Sequence, residues 1–197
     1  MWVLRSRAFL SIAVFMLAAL RALGQTASAS GTFTAQDNGD GTWDYSMSVK
    51  NTGTTNIETL WFGWIPGYDF IIDPTSATNN PLPKLSAPSN WSVSDQPEQF
   101  SPFYHSVQWV TTTNPLTPGQ TLSGFNFTST ESPTAITGPS YFGSFYPVDS
   151  SYVYIGAPET DAGFSFAPSQ VTATPEPASL SLLAFSALLL RRPSRRG

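Results

Sequence analysis

The stretch Thr42–Asn51, TWDYSMSVKN, alternates apolar and polar side chains along its whole length. The apolar set is Trp43, Tyr45, Met47 and Val49. A period of two residues is typical of an antiparallel strand that has one face in the core and the other in water. The candidate strand Gly31–Gln36 precedes it, and the intervening DNGDG, residues 37–41, has the residue types of a tight turn. The sequence therefore predicts a β-hairpin at this point.

Short segments of similar character follow the hairpin. They are Ile57–Ile65, Trp91–Asp95, Ser106–Thr111, Thr121–Ser129, Tyr141–Phe145 and Ser151–Ile155. Pro and Gly separate them at short intervals, and Pro118-Gly119 fits the centre of a type II turn. No stretch between the two ends of the chain has a convincing helical period. We therefore expect an all-β fold, a single antiparallel β-sandwich of the immunoglobulin-like kind over residues 25–164.

Two further segments are predicted to be irregular. Asp73–Asn90 is rich in Pro, Ser, Thr and Asn, which indicates an exposed connection between strands. Residues 165–174 are expected to be a linker that leads away from the domain.

The charge of the chain is divided between its body and its ends. Residues 25–174 contain twelve acidic residues against two basic ones, Lys50 and Lys84. Such a body repels phosphate backbones, so we expect no nucleic-acid partner. The chain has no cysteine, which excludes disulfides and thiolate metal sites.

The first 24 residues are predicted to be a secretory signal peptide. Arg5 and Arg7 precede an apolar run over residues 8–20, and small residues follow it. This order matches the basic, apolar and cleavage regions that signal peptidase and the secretion machinery recognise.

The chain ends in a second apolar run, Ala178–Leu190, that is followed by four arginines. These are Arg191, Arg192, Arg195 and Arg196. Thirteen helical residues rise only about 20 Å, against a hydrocarbon core of about 30 Å, so the run predicts a short transmembrane helix that would be a marginal permanent anchor. Arginines directly after it would stay on the cytoplasmic side, leaving the body outside.

Pro175-Glu176-Pro177 immediately precedes this helix, and two prolines so close together favour extended backbone. The order Pro-Glu-Pro, short apolar helix and terminal arginine cluster resembles the PEP-CTERM sorting signal of exported bacterial proteins. The resemblance covers residues 175–197 only. It implies that an exosortase, an enzyme of the inner membrane, recognises the tail and removes it. The protein would be held briefly in the inner membrane and then reach the cell surface or the extracellular matrix.

The candidate chemical sites in the body are weak. His105 is the single histidine of the chain, and no nucleophile elbow, zinc motif or phosphate-binding loop accompanies it. Asp37, Asp40 and Asp44 suggest calcium, but their spacing does not fit an EF-hand loop, and a hairpin turn explains them better. We therefore predict no enzymatic activity, no cofactor and no metal.

The stretch from Leu60 to Ile65 is the most apolar part of the body. As one strand it would place Trp61 and Ile65 on one face and Phe62 and Trp64 on the other. Either the outer set is covered by the long loop, or Trp61, Phe62 and Trp64 supply an exposed platform for a ligand. The sequence thus predicts a structural or adhesive surface protein. A carbohydrate-binding module of the cell envelope or extracellular polysaccharide is the alternative.

Overall fold

The computed structural model describes residues 26–66, 68–69, 84–97, 105–140, 143–156 and 161–171. Within these ranges the chain forms thirteen strands and one short helix, α1. The strands are β1 (Ala29–Asp37), β2 (Trp43–Asn51), β3 (Thr59–Phe62), β4 (Trp64–Ile65), β5 (Tyr68–Asp69), β6 (Ser92–Pro97), β7 (His105–Val110), β8 (Thr121–Ser129), β9 (Pro139–Ser140), β10 (Gly143–Pro147), β11 (Ser151–Tyr154), β12 (Phe164–Phe166) and β13 (Ser169–Gln170); α1 is Pro133–Ile136. The fold is all-β and largely antiparallel, as predicted.

The predicted hairpin forms one half of a four-stranded sheet of order β13-β1-β2-β8. β1 and β2 pair antiparallel from Ala29 opposite Asn51 to Asp37 opposite Trp43. Tyr45, Met47 and Val49 are buried, so the alternation that predicted the strand also gives the face that enters the core. The turn before β8 has the expected form, because Gln120 N donates to Thr117 O and Gly119 has φ +80°.

A five-stranded antiparallel sheet has the order β12-β11-β3-β7-β6. Leu60 and Phe62 of β3 lie opposite Trp109 and Val107 of β7. These four side chains point toward the four-stranded sheet and belong to one buried cluster. Trp61, between Leu60 and Phe62, therefore points to the outer face.

The core lies between the two sheets. Rings from opposite sheets contact one another: Phe62 and Phe127 have centroids 5.0 Å apart, and Trp109 meets Phe125 edge-on at 5.6 Å. The central buried side chains are Phe33, Tyr45, Met47, Val49, Ile57, Leu60, Phe62, Val107, Trp109, Leu116, Phe125, Phe127, Ile136 and Val153. Aromatic packing across the gap is the main cohesive feature of the domain.

The predicted single strand over Ile57–Ile65 is wrong. Gly63 has φ +65°, in the left-handed region, and it separates β3 from β4. One residue of this conformation rotates the following side chain off the alternating pattern. Trp64 consequently lies on the same side as Trp61, whereas alternation would have placed it with Phe62.

Replacing Gly63 with alanine is expected to lower the free energy of unfolding by about 1–2 kcal/mol, because an alanine in the left-handed region brings its Cβ against the following carbonyl. Urea denaturation of the two proteins would measure the difference. An alanine variant as stable as the parent would contradict the backbone assignment.

The segment predicted to be a linker begins inside the sheets. β12 pairs antiparallel with β11 in one sheet, and β13 pairs parallel with β1 in the other. Residues 164–171 therefore connect the edges of both sheets, and the Phe166 and Pro168 side chains lie against Gly31. Strands of two or three residues are too short to show an alternating pattern. Their pairing is therefore determined by the sheet edges that lie beside them and could not be predicted from the sequence.

Residues 84–90, the described part of the long loop, are attached to β8. Ser86 exchanges backbone hydrogen bonds with Asn126, and Leu85 and Ala87 pack on the core. Trp109 Nε1 donates to Ser86 O at 2.9 Å. This part of the loop packs on the side of the core through some of its residues, and residues 84, 86, 89 and 90 are exposed.

The predicted signal peptide, residues 172–174 of the predicted linker, and the predicted sorting tail of residues 175–197 with its expected helix 178–190 lie outside the described ranges. Within those ranges, no helix is long and apolar enough to cross a bilayer.

Candidate functional site

An aromatic cluster occupies the outer face of the five-stranded sheet. Trp61 stacks on Trp64 with ring centroids 4.6 Å apart, and Trp64 meets Tyr152 and Tyr154 edge-on at 5.8 and 5.9 Å. Tyr152 lies directly opposite Trp61 in the β3–β11 register. The geometry joins β3, β4 and β11 through four aromatic rings.

The three residues of the predicted platform do not form an exposed surface. Trp61 is 7% exposed and Trp64 is 4% exposed, and Phe62 lies in the core between the sheets. The two tryptophans stack face against face, and the Trp61 Nε1 atom has no hydrogen-bond partner. Flat stacking of a sugar on these rings would first require them to be uncovered.

His105 begins β7 and is buried against Asp95 of β6. Its Nδ1 atom lies 3.0 Å from both carboxylate oxygens of Asp95, so the Nδ1 proton is donated to the carboxylate. The Nε2 atom is buried and has no hydrogen-bond partner. Histidine and aspartate are thus placed as in a catalytic triad, but among the described residues no hydroxyl group hydrogen-bonds to Nε2. The pair instead fixes the orientation of the imidazole and links β6 to β7.

The aspartates of the hairpin turn accept hydrogen bonds from the turn itself. Asp37 accepts from Gly39 N at 2.8 Å, and Asp40 accepts from the amide and hydroxyl of Thr42 at 3.0 and 2.6 Å. These are Asx-turn contacts, which stabilise a reversal of the chain. Among the described residues no group of three metal-ligating side chains is present.

A polar groove of about 350 Å³ lies on the outer face of the four-stranded sheet. Its floor consists of six side chains from three adjacent strands, and Lys84 forms one wall. The six are Thr34, Gln36, Asp44, Ser46, Asn126 and Thr128. The sequence did not predict this groove. The alternation in β2 places Asp44 and Ser46 on the outer face, but it does not indicate which strands lie beside β2.

Asp44 is the electrostatic centre of the groove. Its carboxylate accepts hydrogen bonds from Thr128 Oγ1 and from Asn38 Nδ2, and Lys84 Nζ lies 3.2 Å away. The Thr128 and Asn38 hydrogen bonds, followed by the Lys84 ammonium, hold the pKa of Asp44 below its usual value. The carboxylate is therefore ionised at neutral pH.

Comparison with known proteins gives no family for this chain. No protein-family model matches it, and a search of curated proteins finds no relative.

Proposed function

We propose that this protein is exported, is held briefly in the inner membrane by its C-terminal tail, and is released by an exosortase to the cell surface or extracellular matrix. The observation that carries the proposal is the order of the last residues: Pro175-Glu176-Pro177, the apolar run Ala178–Leu190, and the arginine cluster from Arg191. The apolar residues at the N-terminus support it independently, because they have the order of a cleaved signal peptide.

In this proposal the tail acts as a temporary membrane anchor. The run of thirteen residues is shorter than the hydrocarbon core requires, so the helix holds the chain without fixing it permanently. Arg191 and Arg192 keep the far end on the cytoplasmic side. Glu176 lies between two prolines in a segment biased to extended backbone, which is the form that a processing enzyme grips most readily.

The domain itself is proposed to be an immunoglobulin-like β-sandwich with a structural or adhesive role outside the cell. Two sheets that share one aromatic core support the sandwich assignment. The excess of acidic over basic residues in the body supports a location in water, away from anionic lipid and nucleic acid. Extracellular polysaccharide is the partner that such a location offers.

The proposal predicts the mass of the mature protein. Intact-mass measurement on protein recovered from the envelope and the medium of its host should show the loss of residues at both ends, with the C-terminal cut near Pro175–Pro177. The variant Glu176→Ala should accumulate in the membrane fraction with Arg191–Gly197 still attached. Pro193→Ala, which changes a proline beyond the apolar run, is the control and should be processed normally. Parent protein that keeps its arginines in the membrane would overturn the sorting proposal.

A further inference from the structure

The floor of the polar groove is a regular grid. The register of the sheet places Gln36, Asp44 and Thr128 side by side in one row across β1, β2 and β8. Thr34, Ser46 and Asn126 form the next row. Strands about 4.8 Å apart and rows two residues apart make a patch about 10 Å wide and 7 Å long. This patch matches the footprint of a single sugar ring with its hydroxyl groups.

The chemistry of the grid is that of uncharged, hydroxyl-rich ligands. Three floor residues have hydroxyl groups and two have amides, so donors and acceptors alternate across the patch. The single carboxylate, Asp44, is matched by the single ammonium, Lys84. The side chains that line the groove therefore carry no net charge. The exposed ones can hydrogen-bond a hydroxyl: Thr34, Gln36, Ser46 and Lys84.

The polar side chains of the groove differ in accessibility. The side chains of Lys84 and Asp44 are 65% and 40% exposed, although they contact each other. Thr128 is 2% exposed and donates to Asp44, and Asn126 Oδ1 is a buried atom without a hydrogen-bond partner. Lys84 has φ +54°, an uncommon conformation for lysine, which directs the wall residue over the floor.

We propose that this groove binds one ring of a neutral glycan. The inference rests on the proposed location of the protein at the cell surface, where it would meet such a glycan. It places the binding site on the four-stranded sheet. Asp44 would accept from neighbouring hydroxyls, and Lys84 and Gln36 would donate. Among the described lining residues, Tyr45 and Phe127 are buried and present no aromatic face to a ligand, so affinity is expected in the millimolar range and would depend on several sites along one polymer.

Nuclear magnetic resonance of the ¹⁵N-labelled full chain, held in a sugar-free detergent, tests the proposal. The probes are neutral tetrasaccharides of glucose, galactose and mannose, with a galacturonic acid tetrasaccharide as the charged comparison. At least one neutral probe should shift the amide resonances of β1, β2 and β8 around the groove. The charged probe should bind no better.

Two pairs of variants make the test specific. Lys84→Met should weaken binding about tenfold and Gln36→Ala about fivefold, the effects of losing a hydrogen bond to a charged and to a neutral group. Lys50→Met and Gln170→Ala change the same residue types outside the groove and should leave affinity unchanged. Thermal unfolding shows whether each variant is folded. Absence of groove shifts with every neutral probe, tighter binding of the acidic probe, or shifts confined to Trp61 and Tyr152 would overturn the proposal. None of these outcomes would alter the tail processing seen by intact mass.

Discussion

Replacing Trp109 with alanine is expected to lower the free energy of unfolding by about 3–5 kcal/mol. Trp109 is fully buried in β7, meets Phe125 of the opposite sheet edge-on, and donates its Nε1 proton to Ser86 O. Truncation would leave a cavity between the sheets and remove one of the two hydrogen bonds that Ser86 O accepts. Urea denaturation followed by circular dichroism would measure the loss.

Two control variants separate the causes. Trp109→Phe retains most of the ring volume and removes the hydrogen bond, so it should cost only about 1–2 kcal/mol. Trp43→Ala removes a tryptophan that is only partly buried at the edge of the same core, and it should cost less than Trp109→Ala. Equal losses for Trp43→Ala and Trp109→Ala would show that the core does not centre on the sheet-to-sheet contact.

Stability should fall as pH rises through the range in which Asp149 ionises. Asp149 is 4% exposed, and burial raises the pKa of its carboxyl from 3.8 to about 6. Below pH 3.8 the carboxyl is neutral in both the folded and the unfolded chain. Between the two values the unfolded chain ionises first, and above about pH 6 the folded protein contains a buried carboxylate whose Oδ1 atom has no partner. The gap between the pKa values corresponds to about 3 kcal/mol of stability lost by neutral pH.

The variant Asp149→Asn isolates this effect. It should be more stable than the parent by up to about 3 kcal/mol at pH 7.5 and nearly equal to it at pH 4, as measured by urea denaturation. Asp44 acts in the opposite direction, because its lowered pKa adds stability that is lost as pH falls. The comparison of parent and variant at each pH removes that contribution. A difference that does not change with pH would contradict the assignment to Asp149.

The sequence predicted the elements whose pattern is local. The hairpin of β1 and β2 could be recognised because nine alternating residues and a turn rich in Asp, Asn and Gly lie together in the chain. The break at Gly63 could not, because a single glycine in an apolar segment is compatible with a straight strand. That one residue decides whether Trp64 lies with Phe62 in the core or with Trp61 outside it.

The candidate groove depends on information that the sequence does not contain locally. Each of its rows requires β8 to lie beside β2. In the chain, however, the strands β3 to β7 lie between these two. Lys84 and Ser86 reach the groove only because the end of the long loop pairs with Asn126. Burial of the tryptophans likewise depends on tertiary structure, since the alternation left open whether the outer face is covered or exposed.

If the tail tethers the domain as proposed, the parallel pairing of β13 with β1 has a mechanical consequence. Val171 N donates to Phe33 O at 2.8 Å, and the chain leaves the sheet in the direction in which β1 runs. A pull on the tail along that direction slides β13 past β1 and loads their hydrogen bonds together, whereas a perpendicular pull would peel them apart singly. The pairing of β13 with β1 would thus resist traction along the strands, the direction in which drag on a tethered surface protein would pull its chain.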